Sequence, residues 1–269
     1  MPILGGLADR GFVDLNAESR ALRHRQITVD RRQRLLVGAE VQKVVAAGIV
    51  VDAEADFLNR MSATELLHRY LDQCPLIGIV RGVTPGEAEA IGEAIFEAGI
   101  RIIEVPLNSP QPLKSIELLA KKFGDDVLVG AGTVLDPSDV GQVWDAGGKI
   151  IVSPDTNVDV IAATASIGLV SSPGYLTPTE AFAAIRAGAT ALKLFPAEAA
   201  SPAVLKAQLA VLPKDVPVLA VGGVKPDTMK PWLDAGATGF GLGGGLYRSG
   251  QSASETLEKA KAYVTGLRA

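Results

Sequence analysis

The sequence predicts an α/β chain folded as a (β/α)8 TIM barrel, on three observations. Short apolar runs recur eight times between Leu76 and Gly241, six of the segments between them open on a polar residue followed by proline, and four close on Ala-Gly. Apolar runs of this length suit parallel strands buried on both faces, the polar–proline pair suits a helix N-terminus, and glycine after alanine suits a left-handed helix end. Doubly wound sheets usually stop at five to seven parallel strands, so eight βα units in about 200 residues are the arithmetic of a closed barrel.

The elements follow in chain order. Met61 opens a helix that Ser62 or Thr64 can cap, with Leu66, Leu67, Tyr70 and Leu71 on one face. Strand one, Leu76–Val80, precedes a helix running from Thr84-Pro85 to Ala98-Gly99. Strand two, Ile100–Leu107, leads to a helix opened by Ser109-Pro110. Strand three, Val127–Gly132, leads to one bounded by Asp136-Pro137 and Ala146-Gly147. Strand four, Lys149–Ser153, is followed by Asn157 as a cap. After strand five, Leu169–Ser172, Pro173-Gly174 is open to reading as a plain turn, and Thr177-Pro178 then starts a helix ending at Ala187-Gly188. Strand six, Thr190–Phe195, precedes Ser201-Pro202, and strand seven, Val216–Gly222, precedes Lys225-Pro226 and Ala235-Gly236. Strand eight, Ala237–Gly241, is followed by a helix opening at Ser252.

Composition narrows the chemistry. The chain has 269 residues, 48% hydrophobic and 21% charged, and 26 Lys+Arg against 30 Asp+Glu give a net charge of -4. That balance offers no basic field for nucleic acid or an anionic membrane, so an anionic ligand has to be caught locally. One cysteine, Cys74, excludes an intramolecular disulfide framework and a thiolate zinc cluster, and fits a reducing, cytoplasmic setting. Two histidines, His24 and His68, are too few for the usual imidazole metal triads. No stretch reaches the roughly 18 apolar residues of a membrane span. The early run Val44 to Val51 is short, far from the N-terminus and bracketed by Lys43 and Asp52, unlike a signal peptide.

Residues 1–60 differ from the rest. Arginine occurs 8 times there and 6 times afterwards, whereas lysine occurs once there and 11 times afterwards. The charge run at Arg31, Arg32 and Arg34 has no periodicity and reads as a solvated, poorly ordered extension or one outside the working protein, with an arm for a partner as the alternative. The barrel is assigned to residues 61–269.

In such barrels chemistry sits where strands end and βα loops begin. Side chains alternate along a strand, so if Leu192 and Leu194 face the helices, Lys193 points into the barrel. Desolvation there lowers a lysine pKa and leaves a neutral amine able to attack a carbonyl. The same parity turns Glu104 inward between Ile103 and Val105, as an acid/base partner or as half of a buried ion pair. Arg81, at the end of strand one, can clamp a carboxylate bidentately, and Thr133 after strand three offers a hydroxyl. Gly222 and Gly223 follow strand seven and Gly243, Gly244 and Gly245 follow strand eight, the two loops where barrels often hold phosphate on backbone N–H groups.

Six segments carry a resemblance: Ile79-Val80-Arg81-Gly82, Glu104-Val105-Pro106-Leu107-Asn108-Ser109-Pro110, Gly130-Ala131-Gly132-Thr133-Val134-Leu135, Lys193-Leu194-Phe195-Pro196, Ala220-Val221-Gly222-Gly223-Val224 and Gly241-Leu242-Gly243. In this order, from about residue 65 onward, the chain resembles the family of 2-keto-3-deoxy-6-phosphogluconate and phosphogalactonate aldolases. The resemblance implies a class I retro-aldol reaction on a phosphorylated keto-deoxy sugar acid, with Lys193 as the Schiff-base lysine and Glu104 as the general acid/base. It places Arg81 and Thr133 on the substrate carboxylate and Gly222, Gly223, Gly243 and Gly244 on the phosphate. It implies no metal or organic cofactor, and a homotrimer. The phosphogluconate branch has an arginine four residues after the glutamate; here that position is Asn108 and the arginine is Arg81, which resembles the phosphogalactonate branch. Gly244 stands where the family commonly has serine, so one hydroxyl donor to phosphate is lost. The residues alone leave three alternatives open: the phosphogluconate aldolase, a phosphosugar isomerase or epimerase, and a non-catalytic phosphometabolite-binding barrel.

Overall fold

A computed structural model describes residues 45–46, 49–50 and 61–268. The chain divides between Ala53 and Glu54 into two units. In the first, β1 (Val45–Ala46) pairs antiparallel with β2 (Ile49–Val50). The remainder of the expected extension, residues 1–60, lies outside the described residues.

The second unit opens on α1 (Ala63–Leu71), which Ser62 caps: the Glu65 N–H donates to Ser62 Oγ at 3.2 Å and the Ser62 N–H donates to Glu65 Oε2 at 2.9 Å. Then come β3 (Leu76–Ile79), α2 (Pro85–Glu97), β4 (Ile102–Pro106), α3 (Pro112–Phe123), β5 (Leu128–Gly132), α4 (Pro137–Asp145) and β6 (Ile150–Val152). They are followed by α5 (Val158–Ser166), β7 (Val170–Ser172), β8 (Gly174–Tyr175), α6 (Pro178–Arg186), β9 (Leu192–Leu194) and α7 (Pro202–Leu209). The unit finishes with β10 (Val218–Val221), α8 (Met229–Ala235), β11 (Gly239–Leu242) and α9 (Ala253–Gly266). All strand pairs from β3 onward are parallel, in the order β7-β6-β5-β4-β3-β11-β10-β9-β8. This is a (β/α)8 TIM barrel.

The two ends of that order, β7 and β8, are separated by Pro173 alone, so they are one barrel strand interrupted by a residue with no N–H to give the ladder. The sheet closes across the interruption: the Ala191 N–H donates to the Ser171 carbonyl at 3.0 Å and the Lys193 N–H donates to the Pro173 carbonyl at 2.9 Å. Pro173-Gly174 is therefore part of the fifth strand, not a turn after it. A second correction falls on Ser109, which does not open α3. Its hydroxyl accepts the Gly82 N–H at 2.9 Å, and α3 starts three residues later with Pro112 in its first turn and Gln111 at the cap. Lys225-Pro226 opens a short 3-10 turn, and α8 begins at Met229. The four Ala-Gly pairs do end helices, with φ of 84–107° at Gly99, Gly147, Gly188 and Gly236.

Alternation sorts the core into two layers. Ile77, Ile79, Ile102, Leu128, Ile150, Val152, Val170, Leu219 and Val221 cluster inside the barrel, where Leu67, Tyr70 and Leu71 of α1 join them. Ile103, Val105, Leu192 and Leu194 belong to the other cluster, between strands and helices. Among the described residues no helix is long and apolar enough to cross a membrane.

Candidate active site

Lys193 is the middle residue of β9, buried at 6% exposure between Leu192 and Leu194, which point the other way. Its Nζ sits 4.8 Å from the centroid of the Phe195 ring, two residues on and on the same face. Burial pulls the Lys193 pKa below its ordinary value; the Glu104 carboxylate opposes that shift and the Arg81 charge adds to it. Glu104, in β4, is 2% exposed, and burial pushes its pKa up against the influence of Lys193 and Arg81. Each shift favours the neutral form. Glu104 Oε2 has no hydrogen-bond partner in the protein, and among the described residues no ion pair joins this carboxylate to Lys193. The alternative of a buried structural ion pair is thus not what the fold contains.

Room for the carboxylate comes from the neighbouring strand. A Cβ at Gly132, the last residue of β5, would lie 1.3 Å from Glu104 Oε2, so only glycine is compatible with this placement. Thr133 follows in the left-handed region at φ 56°, an uncommon conformation for a β-branched residue. Arg81 is anchored at both terminal nitrogens: Nη1 donates to Asn108 Oδ1 at 2.5 Å and Nη2 to Thr133 Oγ1 at 3.3 Å. The Ser109 hydroxyl, holding the Gly82 N–H, fixes the loop that carries this arginine.

Arg81, Thr133, Lys193 and the four candidate phosphate glycines line one cavity of about 560 Å³ at the C-terminal ends of the strands. Glu104 does not line it. The carboxylate lies deeper in the barrel, on a second, much smaller cavity that shares Lys193, Ile79, Val221 and Gly241 with the first. On the wall of the large cavity, Gly222 and Gly223 take φ of 111° and 64°. Glu198 packs against them closely enough that a Cβ at Gly222 would come within 2.2 Å of its Oε2. Gly243 and Gly244 have open space around them.

Several residues on this wall escaped the sequence reading. Lys225 and Arg248 both line the large cavity beside the glycine loops, and Arg248 Nε donates to the Gly244 carbonyl at 3.2 Å. Their signal was available: each is a cation within five residues of a glycine run at a strand end. Tyr263, on the distant α9, braces the first loop through a 2.9 Å bond from its hydroxyl to the Val224 carbonyl, and no local pattern announces it. Asn108 was legible only as the absence of an arginine, not as the acceptor that holds Arg81.

Comparison with known proteins gives the family and the fold. A family model described as KDPG and KHG aldolase matches residues 67–262. The 2-dehydro-3-deoxy-6-phosphogalactonate aldolase of Escherichia coli (strain K12) is 47% identical over 194 residues, 72% of this chain and 95% of that protein. Among solved structures, a native KDPGal structure has a TM-score of 0.72 at 47% identity, covering 73% of this chain and 95% of that one. A cube-shaped protein cage designed by fusing symmetric oligomeric domains has a TM-score of 0.71, also at 47% identity, with 72% of each chain covered.

Proposed function

The chain belongs to the family of KDPG and KHG aldolases, and from that premise we propose that it is a class I aldolase. It cleaves 2-dehydro-3-deoxy-6-phospho-D-galactonate to pyruvate and D-glyceraldehyde 3-phosphate. The observation that carries this reading is the buried Lys193 amine at the floor of the cavity, with its pKa lowered and no carboxylate paired to it.

Lys193 Nζ adds to the C2 ketone, water leaves, and an iminium forms that acts as the electron sink. As the C4 hydroxyl gives up its proton toward Glu104, the C3–C4 bond breaks and its electron pair passes into the iminium. Glyceraldehyde 3-phosphate departs and an enamine remains on the lysine. Glu104 returns the proton to C3, and hydrolysis of the resulting iminium frees pyruvate and the amine. Arg81 and Thr133 hold the substrate carboxylate through this sequence. Gly222, Gly223, Gly243 and Gly244 receive the phosphate on backbone N–H groups, and Lys225 and Arg248 supply the positive charge that the glycines lack. The choice of the galactonate epimer is supported by the arginine standing at position 81 with Asn108 as its acceptor, and by the name of the 47% identical relative.

The enzyme acts in the cytoplasm as a homotrimer. Supporting the assembly are the likeness to a chain built into a cage from symmetric oligomeric domains and four half-exposed apolar side chains on adjacent helices: Leu135 and Val158 near the N-termini of α4 and α5, Trp144 and Ile167 near their C-termini. Pyruvate release from the two C4 epimers tests the substrate. Faster turnover of the phosphogalactonate supports it, and faster turnover of the phosphogluconate moves the enzyme to the other branch.

A further inference from the structure

Each of the two cavities has its own carboxylate. Glu104 lines the small one, and Glu198 lines the large one, where it is the single acid on the wall among the described residues. Glu198 stands in the 3-10 turn Ala197–Ala199 just beyond β9, so the strand that carries Lys193 also delivers this carboxylate. The turn is fixed in place: Ala197 is buried, and the Ala199 N–H donates to the Pro196 carbonyl at 3.0 Å. From it the side chain lies along the loop after β10, where a Cβ at Gly223 would come within 2.5 Å of Glu198 Cγ. Among the described residues the carboxylate itself has neither an ion pair nor a hydrogen bond. The basic side chains of the same wall, Arg81, Lys193, Lys225 and Arg248, serve the two anionic ends of a substrate and the ketone between them. An acid beside a phosphate loop repels the phosphate, so it weakens binding unless it makes a contact of its own.

We propose that Glu198 accepts a hydrogen bond from the substrate's C5 hydroxyl and so selects the aldehyde half of the reaction. The proposal rests on the aldolase reading and extends it to a residue outside the imine chemistry. Lys193 holds C2 and the glycine loops hold the phosphate on C6, so the substrate chain runs along the wall from Lys193 toward Gly222 and Gly223. The C4 hydroxyl turns toward Glu104 at the deep end. C5 is the carbon next to the phosphate-bearing one, and the carboxylate next to the phosphate loop is Glu198. Its hydroxyl is a donor that needs an acceptor, on a wall whose charged groups are otherwise basic. A site that bonds a substrate hydroxyl through a charged group discriminates strongly against an analogue lacking it, because the carboxylate then gives up its water without a replacement.

The experiment runs the reaction in the direction of synthesis, adding pyruvate to D-glyceraldehyde 3-phosphate or to 3-phosphooxypropanal, which has the same length and phosphate but lacks the hydroxyl that becomes the one on C5. Comparing the same two aldehydes in parent and variant cancels their intrinsic reactivities. In Glu198→Ala the kcat/KM preference for the hydroxylated aldehyde is expected to fall about tenfold or more, through loss on that aldehyde alone. Glu198→Gln, which keeps a neutral carbonyl acceptor, is expected to fall between parent and Glu198→Ala. An equal loss on both aldehydes overturns the proposal, because it makes Glu198 a brace for the glycine loop. An equal gain on both also overturns it, because the carboxylate then only repels the phosphate. Calorimetric binding of sn-glycerol 3-phosphate and of propane-1,3-diol monophosphate reads the hydroxyl contact without turnover. Tighter binding of the first by the parent, lost in Glu198→Ala, supports the proposal, and equal binding of the two by the parent contradicts it. Should the parent add pyruvate to neither aldehyde, the aldolase reading fails while the calorimetry still decides the role of Glu198.

Discussion

Lys193 and Glu104 show how far one residue's chemistry can be read from strand parity. Both sit between residues whose side chains pack outward, Leu192 and Leu194 for one, Ile103 and Val105 for the other, so the period of two places the charges inside a barrel of aliphatic residues. Partners contributed by other strands are not legible this way. Gly132 admits the Glu104 carboxylate from β5, Ser172 lines the same small cavity as Glu104 from β7, and Asn108 reaches Arg81 across the strand ends, each brought together only on folding. Arg81 gives the residue-scale prediction. Replacing it with lysine removes the planar fork that can bond both carboxylate oxygens, and KM for the keto acid is expected to rise about ten- to a hundredfold with little change in imine formation. Asn108→Ala leaves the guanidinium in place and its second tether, Thr133, intact, so a smaller rise is expected. Steady-state kinetics on both variants checks the order; a larger effect at Asn108 would move the carboxylate toward strand two.

Elements were legible where local rules decide them, and not where tertiary contacts override those rules. Asp136, Asn157, Thr177, Ser201 and Ser252 stand at helix N-caps, because their side-chain oxygens meet free N–H groups within the same turn, and Thr84 stands at one with its N–H donating to Glu87 Oε1 at 2.9 Å. Ser109 has the same local pattern, yet its hydroxyl is taken by Gly82 from another loop and the helix starts later. The fifth strand is split because Pro173 cannot donate, and only closure of the sheet reveals that both halves belong to it. Two predictions belong here. Leu67 of α1 is fully buried among the residues inside the barrel, so Leu67→Ala is expected to destabilise the fold by about 2–5 kcal/mol, read by urea denaturation. A destabilisation well under 1 kcal/mol would mean that α1 does not seal the barrel. In the last βα loop, Gly244 has no heavy atom near its would-be Cβ and no left-handed φ, so a serine fits. Gly244→Ser should lower KM for the phosphorylated substrate about three- to tenfold by adding a hydroxyl donor. Unchanged KM would place the phosphate away from this loop.

At the scale of the whole molecule, the count of strands and the order of helix signals suffice for the barrel, because each βα unit is built from local contacts and repeats with the same period. The first sixty residues stand apart in arginine and lysine usage, and the family match begins only at residue 67. All the site residues lie in the second unit. A chain beginning at Met61 is therefore expected to keep turnover within twofold of the full-length protein and to melt within a few degrees of it. Loss of activity or solubility on truncation would show that residues 1–60 contribute to the barrel or to its assembly.

The central claim is that Lys193 forms an imine with the substrate ketone, and one measurement reaches it directly. Incubation with pyruvate and borohydride, followed by intact-mass and peptide analysis, should show one irreversible pyruvate-derived adduct per chain, located on Lys193 and absent from Lys193→Ala. No adduct, or an adduct on another lysine, contradicts the account.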